Sequence, residues 1–120
     1  MWRTTRPAFI DETEFAQLLA NGHCTAGGET VDPCPVIRLF TPDANATWLL
    51  TDLDPDDEDR AFGLCDLGLS SPELGYVRLS DLEGLRGPFG LRVERDEHFR
   101  PDRPLSEYAE QARSCGRIIT

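Results

Sequence analysis

The densest run of side chains able to do chemistry is Asp52-Leu53-Asp54-Pro55-Asp56-Asp57-Glu58-Asp59, six carboxylates in eight residues. Carboxylates so crowded can hold a hard cation, work as an acid–base pair, or offer negative charge to a basic partner. The cation reading fails on spacing. Asp52, Asp54 and Asp56 copy the first three ligand positions of an EF-hand loop, but Asp57 stands where its sharp turn needs Gly, and Gly63 where the bidentate Glu belongs. Carboxylate pairs occur on any acidic sheet, so they do not by themselves mark a glycoside-type site. Two readings remain. The run is a solvated hairpin whose charge discourages edge pairing, or it is an acidic surface that meets a basic partner, including by imitating the phosphate spacing of DNA. Asp52, Asp54, Asp56, Asp57, Glu58 and Asp59 are therefore the candidate partner-binding residues.

Other reactive residues are sparse. His23 and His98 are the two histidines, and no Gly-x-Ser-x-Gly elbow accompanies them. Ser70 and Ser71 have no neighbouring base. His23 and Cys24 are adjacent, and adjacent side chains in extended chain point opposite ways. A zinc site from His23, Cys24 and Cys34 would need ligands spread far beyond the usual knuckle spacing, with no second cysteine pair to complete it. Every basic residue is Arg, which removes Schiff-base and P-loop lysines from consideration. The reading assigns no catalytic residue, no metal and no cofactor, and leans away from an enzyme.

The charge is unevenly distributed. Residues 1–77 carry 14 carboxylates against four arginines, and residues 78–120 carry eight against eight, for a net of −10. Such a field repels a phosphate backbone, so direct nucleic-acid binding is disfavoured. The exception to weigh is the segment holding Arg86, Arg92, Arg95, Arg100 and Arg103. Glu94, Asp96, Glu97 and Asp102 interleave with them, so local ion pairing is the expectation there. No apolar run is long enough to span a bilayer, and no hydrophobic segment follows the basic residues of the N-terminus. The expectation is a cytoplasmic protein with reduced thiols at Cys24, Cys34, Cys65 and Cys115, Cys65 acting as a small buried hydrophobe.

The elements that must position these residues follow from capping and periodicity. Asp11 and Glu14 form a capping box, Ile10 and Phe15 a hydrophobic staple, and Asn21-Gly22 reads as the stop of a first helix with its stripe at Phe15, Leu18 and Leu19. Strands are expected at 36–41, 47–53, 61–66, 74–79 and 91–94, with Trp48 in the core. Ser80-Asp81-Leu82-Glu83 reads as a capping box for a short helix ending at Gly87, and Ser106 as the cap of a last helix ended by Gly116. The fold class is α+β: an antiparallel meander of four to five strands, with an N-terminal helix, a short helix before the last strand, and a C-terminal helix. One domain is expected over 1–120, comprising helix and loop (1–35), sheet (36–96), and C-terminal segment and helix (97–120).

A series of blocks runs in order from residue 39: Leu39-Phe40-Thr41-Pro42-Asp43, Thr47-Trp48, Phe62-Gly63-Leu64, Glu73-Leu74-Gly75-Tyr76 and Leu79-Ser80-Asp81-Leu82. Arg86-Gly87-Pro88, Gly90-Leu91, Glu94-Arg95-Asp96, Phe99, Pro101 and Pro104-Leu105-Ser106 complete it. Over about residues 36–108 this order resembles an uncharacterised bacterial family, domain of unknown function 2958, often carried on plasmids and other mobile elements. The resemblance implies a compact domain and a mobile-element setting, and it carries no catalytic residues. The functional expectation is a non-enzymatic accessory protein whose acidic surface binds a protein partner with a basic surface, with mimicry of DNA against a host defence nuclease as one form. Two alternatives stand beside it. One is a small carboxylate-based or metal-dependent enzyme with Asp66, Glu94 or Asp96 in a cleft; the other is a nucleic-acid binder using the arginine segment.

Overall fold

The computed structural model describes residues 6–29 and 31–120; residues 1–5, with Arg3 of the basic N-terminus, and Thr30 lie outside them. The first element is helix α1, Glu12–Ala26. Its capping box forms as expected: Asp11 Oδ1 accepts from the Glu14 N–H at 2.8 Å, and Glu14 Oε1 accepts from the Asp11 N–H at 3.0 Å. The helix does not stop at Asn21-Gly22. A Cβ built on Gly22 would lie 1.7 Å from the Leu53 carbonyl oxygen, so this glycine permits close backbone approach rather than ending the helix. Beside it, the Asn21 side-chain amide donates to the Thr51 carbonyl at 2.8 Å. The helix ends instead at Gly27, whose N–H donates to the His23 carbonyl.

Four strands then run as a meander: β1 (Ile37–Phe40), β2 (Thr47–Asp54), β3 (Asp57–Asp66) and β4 (Glu73–Arg78). Each pairs antiparallel with the next, and Thr51 makes a bulge between Leu50 and Asp52. The expected acidic loop is shorter than the sequence suggested. Strand pairing continues through the carboxylates, and only Pro55 and Asp56 form the turn.

The fifth strand departs from the meander. Helix α2 (Leu79–Gly84) follows β4, and β5 is Glu94–Arg95 rather than 91–94; it pairs with β1, giving the order β4-β3-β2-β1-β5. Burial explains the crossing. Leu79, Leu82 and Val93 enter the same core as Phe15 and Leu18 of α1, drawing the chain back along that face. Asp43, in the β1–β2 turn, then receives it: Asp43 Oδ2 accepts from the Phe89 N–H at 2.8 Å and from the Leu91 N–H at 3.3 Å.

Helix α3, Leu105–Cys115, ends at Gly116 in the left-handed conformation, as its sequence predicts. The serines expected to cap α2 and α3 do not do so. Arg78 and Pro104 occupy the N-cap positions and make no side-chain cap bond. Remote aspartates serve instead. Asp59 accepts from the Ser80 N–H (2.9 Å) and hydroxyl (2.7 Å), while Asp32 accepts from the Ser106 N–H (3.1 Å) and from its hydroxyl. Helix α2 ends before Leu85, short of Gly87.

Both faces of the sheet are covered. Ile37, Leu39, Trp48, Leu50 and Leu53 pack with α1 and α2, and Leu49 and Leu64 pack with Leu105, Tyr108 and Ala112 of α3. Trp48 is a core residue at 3% exposure, as expected. Burying each such large side chain contributes roughly 1.5–3 kcal/mol before entropy is counted.

Candidate functional site

Of the six candidate carboxylates, Asp54, Asp56, Asp57, Glu58 and Asp59 lie at or beside the β2–β3 turn, and Asp52 lies further down β2. Asp52 and Asp54 line one cleft and Glu58 another, with Arg6 and Glu12. Asp54 and Asp57 are direct register partners, an arrangement that places like charges face to face. Two arginines relieve it. Arg60 lies 3.5 Å from Asp54, and Arg78 reaches from β4 to Asp57 at 3.2 Å and Asp59 at 3.3 Å. The hydrogen bond from Arg78 to Asp59, followed by the charge of Asp57, raises the guanidinium pKa above its ordinary value.

Backbone groups hold the tip further. Asp54 accepts from the Asp56 N–H at 2.9 Å, and Asp57 accepts from the Asp59 N–H at 3.2 Å. Asp52 differs from the rest: it is half-buried, and burial pushes its carboxyl pKa up against the opposing hydrogen bond from the Thr51 hydroxyl at 2.6 Å. Among these six, Asp56 alone is exposed. On the flank, the Arg60 guanidinium lies 3.8 Å from the Tyr76 ring centroid, and Tyr76 meets Phe62 edge-on at 5.1 Å.

Arg78, Ser80 and Tyr76 are parts of this site that sequence reasoning missed. Asp59 and Ser80 lie 21 residues apart, and no local pattern links them.

The remaining candidates do not converge. His23 and Cys24 lie on α1, Cys34 is exposed in the following loop, and all four cysteines are free thiols. No cluster of three or more His, Cys, Asp or Glu residues placed to hold a metal occurs among the described residues. Burial pushes the Cys65 thiol up to about 11. Asp66, Glu94 and Asp96 line three different clefts. In the arginine segment, Arg95 bonds Asp11 and Glu14 at the start of α1, Arg103 bonds Asp102, and Arg86 and Arg100 donate to backbone carbonyls. No helix among the described residues is long and apolar enough to cross a membrane.

A second constellation lies at the other end of the β2–β3 hairpin, where Thr47 pairs with Asp66. There a cleft of about 510 Å3 is lined by Arg38, Phe40, Asn45, Thr47, Ser70 and Arg117, among others. Asp66, 4% exposed, sits in its wall with both oxygens engaged, accepting from the Gly68 and Ile118 N–H groups at 2.9 Å each.

No curated protein and no solved structure matches the chain. A family model does, over residues 9–119, so the match reaches past the span of the sequence blocks to include α1 and the positions of Cys24, Cys34 and Cys115. With nearly its whole length matched, the chain belongs to the family described as protein of unknown function DUF2958.

Proposed function

We propose that the chain is a non-enzymatic accessory protein that binds a basic macromolecular partner through the acidic tip of the β2–β3 hairpin. The observation that carries this reading is the set of hydrogen bonds and ion pairs that hold the tip carboxylates. Asp52, Asp54, Asp57 and Asp59 are tied by hydrogen bonds or ion pairs on two paired strands joined by a two-residue turn. Carboxylates already fixed in place meet a partner without the entropy loss of ordering free side chains. Arg60 and Arg78 offset only part of six carboxylates, so the tip stays negative and steers a basic surface toward it. In a mobile-element setting the partner would be a DNA-binding host protein, such as a defence nuclease, with the carboxylates standing in for phosphates.

Affinity capture with the native chain and with the variant Asp56→Asn/Asp57→Asn/Glu58→Gln tests this reading. Asp59 is spared because it caps α2. The expected result is a set of basic proteins retained by the native chain at low salt, released at high salt or by competing duplex DNA, and absent with the variant. Equal recovery by both chains would refute the proposal.

A further inference from the structure

We infer that the cleft at the opposite end of the hairpin is a binding site for a small phosphate-bearing molecule, its phosphate held between Arg38 and Arg117. The two guanidiniums line one concave surface of an otherwise acidic chain. The carboxylates nearby keep their charge, but their oxygens are already engaged. Asp66 spends its oxygens on two backbone N–H groups, and Asp96 accepts from Arg38 at 3.1 Å and from the His98 N–H at 2.9 Å.

The guanidiniums are less fully served. Arg117 is exposed just past the end of α3 and makes no ion pair among the described residues. Arg38 has one carboxylate partner, Asp96, reached through a terminal nitrogen; its Nε is buried, so it is the terminal nitrogens of the guanidinium that can meet a ligand. A guanidinium presents several N–H donors in one plane, an arrangement that matches phosphate oxygens. Asn45, Thr47 and Ser70 add an amide and two hydroxyls to the same lining. Ser70 has φ +66°, a left-handed conformation that an L side chain adopts at an energetic cost, so the cleft holds a strained residue at its wall.

Size and charge narrow the ligand. The volume, about 510 Å3, exceeds what a bare phosphate fills and falls in the range of small-molecule pockets, roughly 300–1,000 Å3. Phe40, with the Arg38 guanidinium 5.2 Å from its ring centroid, supplies an apolar wall beside the cationic one. A polyanion would feel the net charge of −10 over its whole length. A small ligand seated in the cleft answers mainly to groups within a Debye length, about 8–10 Å. The inferred ligand is therefore of mononucleotide size rather than a nucleic acid.

Calorimetric titration at constant ionic strength with adenosine 5′-monophosphate, inorganic phosphate and adenosine tests the inference. Saturable binding by either phosphate-bearing probe, with none by adenosine, is expected; which of the two binds separates a phosphomonoester site from one for the free ion. Arg117→Gln, at an exposed position, should weaken that binding at least about tenfold. The tip variant Asp56→Asn/Asp57→Asn/Glu58→Gln should bind as the native chain does, so failure of this inference and failure of the proposed function are read separately. No saturable phosphate binding, unchanged affinity in Arg117→Gln, or adenosine binding as tightly as its monophosphate would each overturn the proposal.

Discussion

The two ends of the β2–β3 hairpin gather their charged groups by different means. They are separated by most of an eight-residue strand, roughly 20–25 Å. At the acidic tip the charge comes from neighbours in sequence, and much of it is consumed holding the structure: Asp59 caps a helix and Asp57 pairs with Arg78. At the cleft the charged groups, Arg38, Asp66 and Arg117, are distant in sequence, and among the described residues Arg117 makes no ion pair. Local density of charged residues is thus a poor guide to how much charge remains free for a ligand.

The largest effect should come from the support beneath the tip. Gly22→Ala would drive a methyl group into the Leu53 carbonyl, and because both sides are backbone the helix must move away from the sheet. Overpacking of this kind costs about 3 kcal/mol, readable as a lowered urea midpoint. A midpoint equal to that of the native chain would show that α1 does not seat on β2 as described.

Thiol labelling then probes the strand between the two ends. With a pKa of about 11, Cys65 holds about one thiolate per thousand at pH 8, so iodoacetamide should modify it at least tenfold more slowly than exposed Cys34 and Cys115. Peptide mapping over time measures the ratio, and comparable rates would contradict the shielding of Cys65, which is half-buried rather than fully buried as its sequence suggested.

Within the tip, structural and free carboxylates should separate. Asp59→Ala removes the cap of α2 and should lower stability by about 1–2 kcal/mol. Asp56→Ala should stay within about 0.5 kcal/mol of the native chain. Similar losses from both substitutions would erase the distinction.

A small, pH-dependent effect belongs to Asp52. Its folded-state pKa is raised by burial, so the unfolded chain ionises first and the contribution of Asp52 to stability falls as pH rises from the ordinary carboxylate value through the folded one. Asp52→Asn should therefore stabilise the protein at pH 7 by less than about 1 kcal/mol, given the solvent screening of a half-exposed group. That gain should vanish in acid, where both side chains are neutral. Denaturant curves at the two pH values measure it, and a gain persisting in acid would point to a cause other than charge.

Much of the fold could be read from short-range chemistry. The α1 capping box, the four meander strands, Trp48 and the Gly116 stop depend on residues close together in the chain. The misreadings share a different cause. Gly22 looked like a helix terminator because its contact, Leu53, lies on another element. Ser80 and Ser106 looked like caps because the aspartates that do the capping arrive from elsewhere. The register of β5 and its place beside β1 follow from the burial of Val93 and from Asp43, neither of which leaves a periodic signal. The six candidate carboxylates could be found in the sequence, whereas their ties to Arg78 and Ser80, and the whole arginine-lined cleft, depend on tertiary proximity.

The borrowed caps also bear on the order of folding. Helices α2 and α3 have six and eleven residues, shorter than the roughly 12–15 that an isolated helix needs to persist in water. Neither carries its own N-terminal side-chain cap. Each becomes secure only after a distant part of the chain has arrived, β3 bringing Asp59 and the segment before β1 bringing Asp32. Such long-range dependence slows folding relative to a bundle of self-sufficient helices and ties the helices to the sheet in one cooperative unit. A peptide spanning residues 105–115 should accordingly be a random coil by circular dichroism, although the same residues form a complete helix in the intact chain.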